Sequence, residues 1–175
     1  MSRELFYGVA MKNLLSLVAL SLLLTGCAGY QLGSNLPEEI QTVSLSIVND
    51  TDEPSIEVQT MKSMRAEVQM DGRLALRSES DADAVLKVTL TGYSLNALAY
   101  DRDHGTLARE YRVVLSGSAV LYDAKTGDVI REIPRVVGES EFPYAADLTS
   151  GKRAALPGAA DDLARKVVSQ TIAAW

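Results

Sequence analysis

The feature that most constrains this chain is an uncharged apolar run near its start, Leu14 to Leu24 (LLSLVALSLLL), eleven residues long. A membrane-spanning helix needs about 20 apolar residues, whereas the apolar centre of an export signal takes ~7–15. Lys12 supplies the positive flank before it. The true start stays open between Met1 and Met11: Met11-Lys12-Asn13 makes the more ordinary flank, since the stretch from Met1 carries Glu4. The run is therefore an address, and the folded domain has to be built from the residues after it.

The run ends in Leu24-Thr25-Gly26-Cys27. This resembles a bacterial lipobox, in which an aliphatic residue and small residues precede an obligatory cysteine. The Cys27 thiolate would accept a diacylglycerol group, the small residues would admit the peptidase, and the new α-amino group would then be acylated. Each buried CH₂ contributes about 0.8 kcal/mol, and stable anchoring takes more than one chain, so two or three acyl chains hold firmly. The alternative is a free or buried thiol behind an ordinary signal peptide. Ala28 stands where an Asp would retain such a lipoprotein at the inner membrane, so the expected destination is the outer membrane.

The expected organisation is a signal peptide over 1–26, a lipid-anchored segment over 27–41 and one folded domain over 42–175. The chain of 175 residues carries 17 Lys+Arg against 23 Asp+Glu, a net charge of −6, and loses two basic residues and one acidic residue with the signal. An acidic chain does not suit general nucleic-acid binding, which needs a basic face for phosphates. With 47% apolar residues it can build a core. A domain of about 150 residues buries roughly 70% of its unfolded surface. One Cys excludes a disulfide framework and a cysteine-based zinc site.

Hydrophobic periodicity predicts the elements. In Thr42 to Val48, Val43, Leu45 and Ile47 alternate with Thr42, Ser44 and Ser46, the period of a half-buried strand. Asn49 to Asp52 reads as a turn, and Pro54 suits a first helical turn. Between Ser55 and Met70, Val58, Met61, Met64 and Val68 fall on one helical face, with Gln59, Lys62 and Ser63 opposite. That Met stripe reads as core, with a binding groove as the alternative. Gly72 suits the end of the helix. Leu74 and Leu76 suggest a short strand. Ala84, Leu86, Val88 and Leu90 alternate in a long one, followed by a hairpin tip over Asn96 to Ala108.

The next strand, about Arg109 to Tyr122, buries Tyr111, Val113, Leu115, Ala119 and Leu121, with Gly117 a candidate for a bulge or close approach. Asp123 to Asp128 forms a turn around Gly127. Pro134 puts the strand Val129 to Glu141 at an edge or a bulge. A last helix, starting near Pro157-Gly158 or one turn earlier over Lys152 to Leu156, gathers Leu163, Ala164, Val167, Val168, Thr171 and Trp175 on one arc. The expected fold is α+β, an α/β sandwich with two amphipathic helices on one face of a mostly antiparallel, four- to five-stranded sheet.

Catalytic signatures are missing from the sequence. It contains no GxSxG, Walker A, HExxH or GxGxxG pattern. Its one histidine, His104, sits between Asp103 and Gly105 without a signalled nucleophile, and reads as a solvated loop residue. Asp161-Asp162 and Asp81/Asp83 read as helix-terminus and turn residues. No catalytic residue, cofactor or metal ligand is assigned.

Taken in order, the pieces resemble the lipopolysaccharide-assembly lipoprotein family LptE. They are Cys27 with Gly29-Tyr30-Gln31-Leu32, then Leu36-Pro37 leading into Ile40-Gln41-Thr42-Val43. Asn49-Asp50-Thr51 and Glu53-Pro54 follow, then Asp71-Gly72, Ala82-Asp83-Ala84, Glu110-Tyr111 and Tyr122-Asp123. The resemblance implies a non-enzymatic lipoprotein at the outer membrane that plugs the β-barrel LptD, assists its assembly and helps lipopolysaccharide reach the outer leaflet. Its implied partners are that barrel, lipopolysaccharide and, through Cys27, the membrane. Arg102, Lys152 and Arg153 roughly match basic positions of the family and become candidate lipopolysaccharide contacts, with plain solvated charges as the alternative. Leu98, Tyr100 and Leu107, the apolar shoulders of the hairpin tip, become candidate barrel contacts. Two rivals stay open: an adaptor of another envelope machine, and a periplasmic hydrolase using Asp103 and His104.

Overall fold

A computed structural model describes residues 36–37, 39–100, 108–144 and 147–172. Strand β1 (Thr42–Asn49) leads to helix α1 (Ile56–Asp71), the two-residue strand β2 (Ala75–Leu76) and a single 3₁₀ turn (Glu79–Asp81). The long strands β3 (Ala84–Tyr100), β4 (Ala108–Asp123) and β5 (Val129–Pro143) follow, and helix α2 (Leu148–Ile172) closes the domain. The sheet order is β2-β1-β3-β4-β5. β1 runs parallel to both β2 and β3, and the β3–β4 and β4–β5 pairs are antiparallel. The sheet is therefore mixed rather than mostly antiparallel. The reason is local: α1 carries the chain back along β1, so the strands after it enter in β1's direction.

Both helices cover one face. Val43, Ala84, Leu86, Val88, Leu90, Val113, Leu115, Ala119 and Leu121 meet Ile56, Met64 and Val68 of α1, and Leu163, Ala164, Val167 and Val168 of α2. The strand alternation thus stands as expected. The face of α1 differs from expectation. Val58 is 66% exposed, and Ile56, Thr60 and Ser63 are buried instead. Two polar residues can face inward because each has a partner: Thr60 Oγ1 donates to Ile56 O at 2.9 Å, and Ser63 Oγ donates to Asp161 Oδ1 of α2 at 2.5 Å. Met64 is fully buried, which places it in the core rather than in a groove.

Two bulges shape the sheet. β3 shifts register between Leu90 and Gly92, opposite Gly117. A Cβ on Gly117 would sit 2.6 Å from Thr89 O, so only glycine allows this approach. The extra residue turns the inward set from even to odd positions, bringing Tyr93 and Leu95 against the core. On β5, Gly117 pairs with Val136 and Ala119 with Ile133, so Pro134 lies in a bulge of an edge strand, as its missing N–H requires. The β3–β4 ladder continues to Tyr100↔Ala108, so the hairpin tip is shorter than the expected Asn96 to Ala108.

α2 begins at Leu148, not at Pro157-Gly158, and Pro157 lies inside it. Asp147 supplies the start signal that outranks the proline: its carboxylate accepts the N–H groups of Thr149 and Ser150, each at 3.0 Å, and the Ser150 hydroxyl. These bonds, that of the hydroxyl first, hold the Asp147 carboxyl below its usual range. Small residues then let α2 lie directly on β5, with Gly138 facing Ala159 and Leu163, and Gly151 facing the Phe142 ring. At the other end of the domain, Asp83 Oδ2 accepts from Thr42 Oγ1 at 2.6 Å and from Thr42 N–H at 3.0 Å, tying the start of β3 to the start of β1. The Thr42 hydroxyl is the main reason the Asp83 carboxyl lies below its usual range. The Ala82-Asp83-Ala84 motif is thus a strand clamp.

Candidate functional site

A cleft that holds two of the predicted site residues lies between the β1–α1 connection, β3 and the first turns of α2. Asn49 organises its first wall. Its Oδ1 accepts from Thr51 N–H at 3.1 Å and from Thr51 Oγ1 at 2.8 Å. Its Nδ2 donates to Glu53 O at 2.9 Å and to Glu57 Oε2 at 3.0 Å. One side chain therefore pins both the turn and the first turn of α1. Ser55, at φ 66°, swings the chain into the helix. This is a left-handed conformation that a residue with a Cβ adopts only under constraint. Pro54 accordingly sits in the turn before α1 rather than inside its first turn.

The second wall is α2 beyond its Asp147 cap. Lys152 Nζ lies 3.5 Å from Glu53 Oε2 and 5.2 Å from the centre of the Tyr93 ring. Burial, and then the negative charge of Glu53, push the Tyr93 hydroxyl above its ordinary pKa. Arg153, Leu156 and Ile56 complete a cleft of about 350 Å³. Aromatic residues cluster beyond it, at the base of the β3–β4 hairpin, Tyr111 stacked on Phe142 and tilted against Tyr144. The Tyr111 ring lies 5.8 Å from Phe142 and 6.0 Å from Tyr144.

The structure thus brings two of the predicted basic residues, Lys152 and Arg153, into one cleft. Leu98 lies near the end of β3 and is 39% exposed. Tyr100 is the last residue of β3, paired with Ala108. Cys27, Arg102, His104, Leu107 and Trp175 lie outside the described residues. The sequence reading missed Tyr93 and Glu53. Tyr93 follows a bulge that reverses the strand's parity, and the Gly92-Tyr93 step was its one local signal. Glu53 pairs across 99 positions, which no local pattern reveals.

An aromatic ring under the Lys152 ammonium, in a cleft that Arg153 also lines, can hold an anionic, partly apolar group. Among the described residues no three acidic, cysteine or histidine side chains converge as a metal site, and no helix is long and apolar enough to cross a membrane.

Comparison with known proteins places this geometry. The PelC dodecamer of Paraburkholderia phytofirmans superposes with a TM-score of 0.52 at 17% identity, covering 81% of this chain and 94% of that one. A minor lipoprotein of Acinetobacter baumannii gives 0.51 at 16% identity, over 79% and 100% of the two chains. A protein of Xanthomonas campestris gives 0.54 at 12% identity, over 79% and 87%. At these identities the likeness is one of fold. None of the curated proteins matches in sequence. The family described as LptE, lipopolysaccharide-assembly, matches residues 40–171, which span every strand and both helices down to the last buried turn. The chain belongs to the LptE family, the non-enzymatic lipoproteins of lipopolysaccharide assembly in the cell envelope.

Proposed function

We propose that this lipoprotein is anchored at the outer membrane through acylated Cys27, occupies the lumen of an LptD-type β-barrel and assists its assembly and lipopolysaccharide insertion. In this reading Lys152 and Arg153 hold phosphate or carboxylate groups of lipopolysaccharide over the Tyr93 ring, and Arg102 in the hairpin tip adds a third basic contact. Leu98, Tyr100 and Leu107 meet the barrel wall. The observation that carries it is the Lys152–Tyr93 cleft, which puts two cations and an aromatic face beside the base of the longest hairpin. The net charge of −6 gives no bulk attraction to lipopolysaccharide, so recognition must be local, as in such a cleft.

Charge reversal at Arg153 tests the reading, because Arg153 is exposed and its loss leaves the Glu53–Lys152 pair in place. One charge-assisted bond contributes about 1.5–3 kcal/mol, so Arg153→Glu should weaken lipopolysaccharide binding roughly tenfold or more. Unchanged binding would remove the cleft from the function. Pull-down of the tagged lipoprotein with mass spectrometry tests the partner. Recovery of a different envelope machine without a large barrel would establish the adaptor reading instead. Fatty-acid labelling that survives Cys27→Ser would refute the anchor.

A further inference from the structure

β2 pairs with β1 only at Thr42↔Ala75 and Val43↔Leu76, whereas β3 stays paired with β1 as far as Asn49. The outer edge of β1 therefore runs on from Ser44 to Asn49 with no strand beside it among the described residues. On that edge Gln41 O accepts Ala75 N–H at 2.9 Å and Val43 O accepts Arg77 N–H at 3.0 Å. By the alternation of a parallel ladder, the next groups to face outward are the N–H and C=O of Leu45 and Ile47.

A cleft of about 590 Å³ opens along this edge. Leu45 and Leu76 give it an apolar floor, and Arg65 of α1, Arg77 and Glu79 stand around it. Arg77 Nη1 reaches only the neighbouring Leu76 carbonyl, at 3.3 Å, and neither arginine forms an ion pair among the described residues. Ser44 also lines the cleft, is 5% exposed, and its hydroxyl has no partner among the described residues.

We propose that this edge is a docking site for an extended acidic segment of another protein, added to the sheet as a strand beside β1. An open edge supplies main-chain bonds at alternate residues, and flanking pockets choose the side chains. Two guanidiniums without carboxylate partners reject a basic strand and favour one bearing Asp or Glu. They exceed by one charge the single carboxylate of Glu79. The fold already pairs β2 with this edge for two residues, so the added strand continues a ladder that exists. The proposal concerns a face distinct from the Lys152 cleft and does not depend on that cleft's role.

The test uses the full lipoprotein in detergent and a short fluorescent peptide of alternating Val and Glu, read by anisotropy and by amide hydrogen exchange. The peptide should bind, and exchange at Leu45 and Ile47 should slow about tenfold or more. Arg65→Glu with Arg77→Glu should weaken binding at least about tenfold, with an unchanged melting midpoint showing that the fold persists. N-methylation of one alternate set of peptide amides should abolish binding, and methylation of the other set should leave it. Equal binding of the two methylated peptides would overturn the proposal, because a strand uses one set only. Full displacement by inorganic phosphate would reduce the site to an anion site and overturn it as well. So would tighter binding by a variant lacking residues 28–35, which would assign the edge to this chain's own leader. Absence of binding at millimolar peptide would end it outright.

Discussion

The two edges of the sheet meet solvent in opposite ways. At the β5 edge, α2 reaches over and satisfies two outward backbone groups. Asp162 Oδ2 accepts the Glu139 N–H at 3.0 Å, and Lys166 Nζ donates to Val137 O at 2.7 Å. The Pro134 bulge interrupts the same strand. At the β1 edge the two-residue β2 stops early, and no helix side chain replaces it among the described residues. An open strand edge invites pairing with another chain, so proteins cover one with helices, bulges or charge. One edge here carries two of those devices, and the other, among the described residues, carries the two-residue β2 and rim charges. Closure depends on distance. A side chain as short as Asp162 can reach strand backbone only because Gly138 lets α2 sit against β5.

Filling that gap should produce the largest effect. A Cβ on Gly138 would come within 2.6 Å of both the Cβ and the backbone nitrogen of Leu163, and closer still to the Ala159 carbonyl. Backbone cannot rotate away, so Gly138→Val must lift α2 off the edge. Overpacking costs about 1–3 kcal/mol, and occasionally more. The upper end applies here, because Ala159, Ala160 and Leu163 would lose their seats together. Urea denaturation should show a loss of about 3 kcal/mol or more. A loss below ~1 kcal/mol would mean that α2 does not depend on this contact.

Removing the clasp while keeping the seat should matter less for stability but more for association. Asp162→Ala with Lys166→Ala leaves the Glu139 N–H and Val137 C=O open to water. Both side chains are partly exposed, so the expected loss is about 1–2 kcal/mol. Concentration-dependent dimers in sedimentation should appear in this double variant. A double variant that stayed monomeric at all concentrations would show that the bulge alone protects the edge.

Acid should weaken the same clasp. Burial raises the Asp162 pKa, but the Lys166 bond, the Glu139 N–H and the charges of Lys166 and Arg165 outweigh it, and the carboxyl lies below its usual value. Because the folded value is the lower one, the stabilisation is complete above the unfolded pKa of about 4 and is lost as pH falls through the folded value. The stability gap between the wild type and Asp162→Asn should therefore be constant from neutral pH down to about 5 and close below about 4. A gap that instead widened in acid would reverse the assigned direction.

These differences bear on what the residues reveal before folding. Alternation in β1, β3 and β4 was legible because one face of each strand is covered and side chains alternate with period two. Gly72, Gly127 and Pro134 were legible because φ and the missing N–H act locally, and the two glycines take φ of 73° and 77°. The start of α2 was not, because Pro157 signals a helix start while the real cap, Asp147, lies ten residues earlier beside no helical pattern. Ser63 looked solvated because its partner Asp161 is 98 residues away. The same separation hid half of the cleft: Lys152 was legible as a basic residue, but its pairing with Glu53 and Tyr93 needed the fold. The open edge was invisible altogether, since a strand does not announce how many residues its neighbour will cover.

The smallest effect belongs to the open edge, and it separates the two edges most cleanly. Every outward group named at the β5 edge has a partner, whereas the Ser44 hydroxyl is buried without one among the described residues. A buried hydroxyl that lacks a hydrogen bond costs about 1–3 kcal/mol relative to one that is satisfied. Replacing it with a methyl-sized group removes that cost and loses little packing. Ser44→Ala should therefore leave the domain as stable as the wild type or more stable by up to ~1 kcal/mol. The corresponding truncation on the covered side, Asp162→Ala alone, should destabilise. The Ser44 hydroxyl also lines the cleft where an added strand would lie, so its gain on truncation should shrink once the acidic peptide is bound. Thermal melts of both variants, with and without peptide, make the comparison. A Ser44→Ala variant less stable than the wild type by ~1 kcal/mol or more would mean that the hydroxyl is satisfied, and that this edge is closed in solution as firmly as the other.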